Sequence, residues 1–141
     1  MSAGEAFLDS NIVLYLLSAD ETKADIAHRL IRAGGVVTVQ VLNEFASVAS
    51  RKRQLSWPEI RDVLATLRAL CRVEPISVEE HERGLLIAER YRFRFYDSLI
   101  IAGAALAGCR VLYSEDMQDG QSLEGLTISN PFTRNRAGLQ H

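Results

Sequence analysis

Short apolar runs in this chain repeatedly meet an acid. The stretches AFLDSNIVLYLL, GGVVTVQVLNEF, FYDSLIIAGAALAG and RVLYSEDMQDG each carry a carboxylate where a strand should end or a helix begin: Asp9, Glu44, Asp97 and Asp116. Between these points, brief β-branched runs alternate with amphipathic segments of helical period. That alternation specifies an α/β chain, a parallel sheet with helices on both faces. In an open sheet of this kind the ends of the strands form a common crevice, and ligands bind there.

The elements follow in order. Ala6–Leu8 reads as a short strand ending at Asp9. Ile12–Leu17 is expected to be helical, and Asp20 caps a second helix reaching about Ala33, where Gly34-Gly35 stops it. Val36–Val39 is a buried strand by its β-branching. Gln40 to Arg53 places Val41, Leu42, Phe45, Val48 and Ala49 at helical spacing. Ser56-Trp57-Pro58-Glu59 and Ser77-Val78-Glu79-Glu80 both have the form of a capping box, opening helices to about Leu70 and Arg92. Arg72–Ile76 is a candidate strand between them. Tyr96–Ala107 is an almost wholly apolar helix ended by Gly108. Val111–Ser114 and Leu126–Ser129 complete the strands. Residues 130–141 form a polar tail containing Arg134 and Arg136. No repeat or linker divides the chain, so residues 1–141 are expected to be a single domain.

Bulk properties narrow the function classes. A chain of 141 residues with 48% hydrophobic and 24% charged residues has the make-up of an ordinary globular domain. A net charge of −2 argues against a generic polyanion binder. The sixteen basic residues include only two lysines, Lys23 and Lys52, and the rest are Arg, whose planar fork suits phosphate and carboxylate. Cys71 and Cys109 sit among apolar neighbours without a CxxC pair. They are expected to be reduced and buried in a cytoplasmic protein, with no disulfide or zinc. The N-terminus lacks a signal-peptide pattern. The longest apolar run, Leu99 to Cys109, is too short to span a membrane.

Taken singly, each acid has a plain structural explanation. Asp9 and Asp97 suit a helix N-cap, Glu44 suits the rim of an apolar stripe, and Asp116 suits a turn. Together they ask for more. Asp97 is the only charge between Arg94 and Arg110 in a helix that must be buried nearly all round. An unpaired carboxylate there is costly. Four carboxylates in one crevice repel each other unless a cation neutralises them, and oxygen-only ligands suit Mg²⁺ or Mn²⁺.

The stretches FLDSNIVLYLL, TVQVLNEFASVASRK, FYDSLIIAGAALAGCRVLYSEDMQDG and LTISNPF resemble, in order and separation, the PIN-domain ribonucleases. The resemblance runs from Phe7 to Phe132 and is strongest to the small VapC-type toxins of prokaryotic toxin–antitoxin pairs. It implies an α/β/α sandwich around a parallel sheet of four to five strands, and cleavage of RNA with Mg²⁺ or Mn²⁺. On that resemblance Asp9, Glu44, Asp97 and Asp116 are the catalytic and metal-binding acids, with Asn11 and Ser114 as polar companions and Asp119 as an accessory acid. It also implies a homodimer and a VapB-like antitoxin that blocks the crevice, for instance by inserting an Arg among the acids.

The chemistry expected of such a site is phosphodiester hydrolysis by an activated water. No His, Cys or Lys directly flanks any of the four acids, so no covalent intermediate is expected, and His28, His81 and His141 fall elsewhere. RNA would be held by arginines. Arg90, Arg92 and Arg94 alternate with Tyr91, Phe93 and Phe95, the pattern of a phosphate-tracking and base-stacking edge. Arg51 and Arg53 close the helix of Glu44. The same residues also suit a solvated face, a dimer contact and a helix C-terminus. Two other acidic-cluster folds fit poorly. A receiver domain needs a late lysine, and a haloacid-dehalogenase-like phosphatase needs a second acid where Asn11 stands. The alternative that remains is a PIN-like RNA-binding or assembly module that is not a toxin and lacks catalysis.

Overall fold

The computed structural model describes residues 5–133, and these form one sheet with helices around it. The strands are β1 (Ala6–Leu8), β2 (Val36–Thr38), β3 (Arg72–Glu74), β4 (Val111–Tyr113), β5 (Ser122–Leu123) and β6 (Leu126–Ser129). The helices are α1 (Ser10–Leu14), α2 (Glu21–Arg32), α3 (Val39–Arg51), α4 (Trp57–Leu70), α5 (Val78–Tyr91) and α6 (Phe95–Leu106). Arg134, Arg136 and His141 lie outside the described residues.

The sheet order is β3-β2-β1-β4-β6-β5. Five strands are parallel, as the alternation requires, and the sixth is an addition. The two-residue β5 runs antiparallel to β6. Glu124 and Gly125, with φ of 52° and 79°, make the turn between them. Positive φ at both central residues is the twist a two-residue hairpin needs. β1 and β4 are neighbours, with Leu8 opposite Tyr113, so the chain segments that follow them leave the sheet side by side.

Local sequence explains most boundaries. Asp20 accepts the backbone N–H groups of Thr22 and Lys23 and starts α2. Gly34, at φ 84°, ends that helix in a left-handed turn. Gly35 then enters β2 so close to β1 that a Cβ would lie 2.9 Å from the Ala6 carbonyl oxygen. Ser56 and Glu59 form a complete capping box. Three expectations differ in detail. Ile12–Leu17 is not one helix: α1 gives way to a 3₁₀ turn over Tyr15–Leu17. β3 stops at Glu74, ahead of Pro75, which lacks the N–H a ladder needs. Ser77 accepts the Glu80 N–H, but the reciprocal half of that box is not made. The Glu80 carboxylate is buried instead, with Oε1 3.1 Å from where a Cβ on Gly103 would stand.

α1 to α4 pack against one another, whereas α5 and α6 form a tight antiparallel hairpin of their own. α6 touches β2 and β6, so it crosses the middle of the sheet. That placement accounts for its burial from Ser98 to Ala104. Phe7, Leu8, Val36, Val37, Leu112 and Ile128 supply the sheet's share of the core, and Phe45, Ile60, Leu67 and Ile101 pack against it. Cys71 and Cys109 are free and buried, and burial raises both thiols, Cys109 to about 11. Among the described residues no helix is long and apolar enough to cross a membrane.

Candidate active site

Asp9 leaves the carboxyl end of β1 and caps α1, its Oδ1 accepting the Ser10 N–H at 2.7 Å. It is nevertheless more than a cap. Its other oxygen accepts the Ser114 hydroxyl at 2.8 Å across the β1–β4 junction. Asn11 Nδ2 approaches Asp9 and Ser114 at 3.5 Å each and donates to Asp116 Oδ2 at 3.0 Å. Asn11 Oδ1 accepts the Glu115 N–H at 3.2 Å, and Ser114 Oγ accepts the Asp116 N–H at 3.2 Å. The two polar companions therefore lash the first acid to the fourth.

Glu44 enters from α3, half-buried beside Val41 and Phe45. Asp97 enters from the first turn of α6, where Arg94 rather than Asp97 is the N-cap residue. Repulsion links Asp9 to Glu44 and Asp116, and Asp97 to the same two. The Asp9 carboxyl is pushed up to about 6, chiefly by burial, against the pull of Ser114 and Ser10 and with repulsion from Glu44 and Asp116. Burial also raises Glu44, with repulsion from Asp97 and Asp116. Burial raises Asp97 too, with repulsion from Asp116 and relief from Arg94. Each shift disfavours a bare carboxylate, so the cluster calls for positive charge.

One oxygen of the cluster is left without a partner. Glu44 Oε1 is buried without a hydrogen-bond partner. Ser10 and Gln40 approach Glu44 and favour its charged form, yet neither satisfies that oxygen. Among the described residues, no three His, Cys, Asp or Glu side chains stand close enough to make a ready-built metal cage. A hard cation that keeps several waters and takes few direct carboxylates still fits this donor set.

The remaining expected residues have other surroundings. Asp119 is exposed and its Oδ1 accepts the Asn130 N–H at 2.9 Å, tying the loop after β4 to the end of β6. Arg90, Arg92 and Arg94 are exposed around the α5–α6 turn, with Arg92 left-handed at φ 61°. Tyr91 and Phe93, between them, stack at 6.0 Å and pack against the core. Arg51 donates to Ser47 Oγ at 3.3 Å and 3.2 Å, and Arg53 to the Leu17 carbonyl at 3.2 Å. His28 and His81 are exposed on helices. Sequence reasoning missed Ser10 and Gln40. Gln40 is four residues before Glu44, the spacing that puts two side chains on one helix face.

A parallel sheet with acids after β1, on α3, at the start of α6 and after β4 defines a class. The PIN domain family matches residues 6–118, and the chain belongs to that family. Its fold is that of VapC-type toxins. It is similar to a toxin–antitoxin complex from Klebsiella pneumoniae, with TM-score 0.69 and 22% identity over 90% of this chain and 98% of that one. It is also similar to the sarcin–ricin-loop-cleaving toxin VapC20 of Mycobacterium tuberculosis, with TM-score 0.64 and 20% identity over 79% of this chain and 90% of that one. A third similar structure is DNA-bound VapBC from Salmonella typhimurium, with TM-score 0.66 and 16% identity over 91% and 98%. No curated protein matches the chain.

Proposed function

We propose that the chain is a divalent-metal-dependent ribonuclease and the toxin of a VapBC-type pair. The observation that carries this is the repulsion linking four carboxylates, brought from the end of β1, from α3, from the start of α6 and from the bend after β4, with Glu44 Oε1 unsatisfied among them. Asp9, Glu44, Asp97 and Asp116 are the residues that would hold Mg²⁺ or Mn²⁺. A divalent ion there supplies charge stabilisation at the scissile phosphate and lowers the pKa of the attacking water. The chain's own groups do the positioning. Ser114 and Asn11 fix the oxygens of Asp9 and Asp116, and Ser10 and Gln40 flank Glu44. Arg94 sits one turn before Asp97, and with the exposed Arg90 and Arg92 of the same turn it would meet the phosphates of a strand entering the crevice.

Partners follow from the same reading. An antitoxin side chain carrying a guanidinium would satisfy the acids as a metal does, by bidentate pairing. Val78, Leu85 and Leu86 on α5 and Tyr96 on α6 are large apolar residues left exposed, which favours a homodimer through this hairpin. The toxin would act on RNA in the cytoplasm. The test is direct. Purified protein with Mn²⁺ is expected to cleave single-stranded RNA, and EDTA to stop it. Expression without an antitoxin is expected to slow growth, and Asp97→Asn to relieve it. Full growth with abundant wild-type protein would remove the toxin role. RNA binding without cleavage in Mn²⁺ would favour the non-catalytic module.

A further inference from the structure

The four acids are not held alike. Asp9 is fixed at a buried strand–helix junction, Glu44 by α3 and Asp97 by α6. Asp116 belongs to no regular element and is exposed in the bend after β4. Yet it is the acid that repels all three others. Repulsion between like charges is mutual, so it also opposes holding Asp116 beside them. Among the described residues, one side chain bonds its carboxylate, the Asn11 amide at 3.0 Å.

The preceding residue is held far more firmly. The Tyr15 hydroxyl donates to Glu115 Oε1. Lys23 Nζ donates to Glu115 Oε2 at 3.3 Å and to the Tyr15 oxygen at 3.2 Å. That ammonium also lies 4.7 Å from the centre of the Tyr15 ring and 5.6 Å from that of Phe132. Tyr15 and Phe132 meet edge to face at 4.6 Å, and Phe132 is buried. Both oxygens of Glu115 are therefore engaged by Tyr15 and Lys23, while its backbone N–H is engaged by Asn11. Burial and Glu115 raise the Tyr15 phenol, so it stays a donor.

We propose that Tyr15 and Lys23 are positioning residues of the metal site: by clamping Glu115 they hold Asp116 in the crevice against the repulsion of the other acids. The proposal rests on the metal-site reading of Asp116. Tyr15 has the central part because its hydroxyl both donates to Glu115 and accepts from Lys23. Losing that one oxygen breaks two bonds and leaves the ring packing intact.

The experiment compares wild type with Tyr15→Phe and Lys23→Met. Mn²⁺ affinity is measured by titration calorimetry, and amide hydrogen exchange of residues 114–120 is measured in EDTA. Each variant is expected to bind Mn²⁺ about tenfold more weakly or worse, as when an outer partner of a metal ligand is lost. Exchange should quicken in residues 114–120 and stay unchanged in the sheet. Saturating Mn²⁺ should restore RNA cleavage by Tyr15→Phe, placing the defect in metal holding. Unchanged affinity with unchanged loop exchange would overturn the clamp. Exchange quickened throughout the molecule would also overturn it, making Tyr15 a general packing residue. A wild type that binds no Mn²⁺ would remove the metal-site reading, and the loop exchange in EDTA would still decide the clamp.

Discussion

At the scale of single residues, burial and charge oppose each other, and Glu80 is the cleanest case. Its side chain is 2% exposed, Oε2 has no partner, and burial alone raises its pKa. An acid whose pKa rises on folding holds its proton more tightly when folded. The resulting destabilisation is absent below its ordinary value of 4.5 and grows as pH rises towards the folded value. Glu80→Gln keeps the shape without the charge. It is expected to be more stable than wild type at pH 7.5, by about 1 to 3 kcal/mol, and nearly equal to it at pH 4. Thermal melts across that range check this, and a variant less stable at pH 7.5 would show that the carboxylate is needed. Asp97 obeys the same logic with a ligand added. Asp97→Asn removes one repelling charge, so in EDTA it should melt at or above wild type. In excess Mn²⁺ the order should reverse, because the wild type gains more binding free energy. A large loss of stability in EDTA would make Asp97 a structural residue.

At the scale of elements, close approach and exposed charge decide what each segment tolerates. Gly35→Ala would set a Cβ 2.9 Å from a backbone oxygen of β1, which cannot rotate away. It should cost about 1 to 3 kcal/mol, as overpacking does, and urea melts would show the loss. The α5–α6 turn should behave oppositely. Replacing Arg90, Arg92 and Arg94 with Ala leaves Tyr91 and Phe93 packed and is expected to weaken RNA binding and flatten its salt dependence, with Mn²⁺ affinity unchanged. Equal RNA binding would assign those arginines to solvent. The parallel strands, α2 and α4 were legible because period, caps and Gly34 agreed locally. The four acids were legible as positions, since each interrupts or borders an apolar run. Their coupling was not, because Asp9 and Ser114 are far apart in sequence and only the β1–β4 pairing joins them. Glu80 was misread for a related reason. A capping motif describes a local choice, and the notch at Gly103, a distant residue, outcompeted it. Tyr15, Lys23 and Glu115 carried no motif at all, and only tertiary packing shows their relation.

At the scale of the whole molecule, the exposed apolar side chains of the α5–α6 hairpin predict self-association. Sedimentation should show a dimer. Leu85→Glu with Leu86→Glu should give a monomer that keeps its Mn²⁺ affinity, because both side chains are exposed on α5, which carries none of the four acids. A monomeric wild type would leave that face for another partner. The strand order has a consequence for how the chain comes into being. β1 is made first but belongs in the middle of the sheet, and its second neighbour, β4, begins only at Val111, opposite Ala6. Asp116 comes later still. A ribosome producing this chain therefore carries an open, incomplete sheet for most of synthesis, with the last of the four acids not yet made. Long-range pairing of this sort forms late and slowly. The acidic cluster is therefore complete only once Asp116 has been made, and a copy that stopped before Val111 would lack both β4 and that acid.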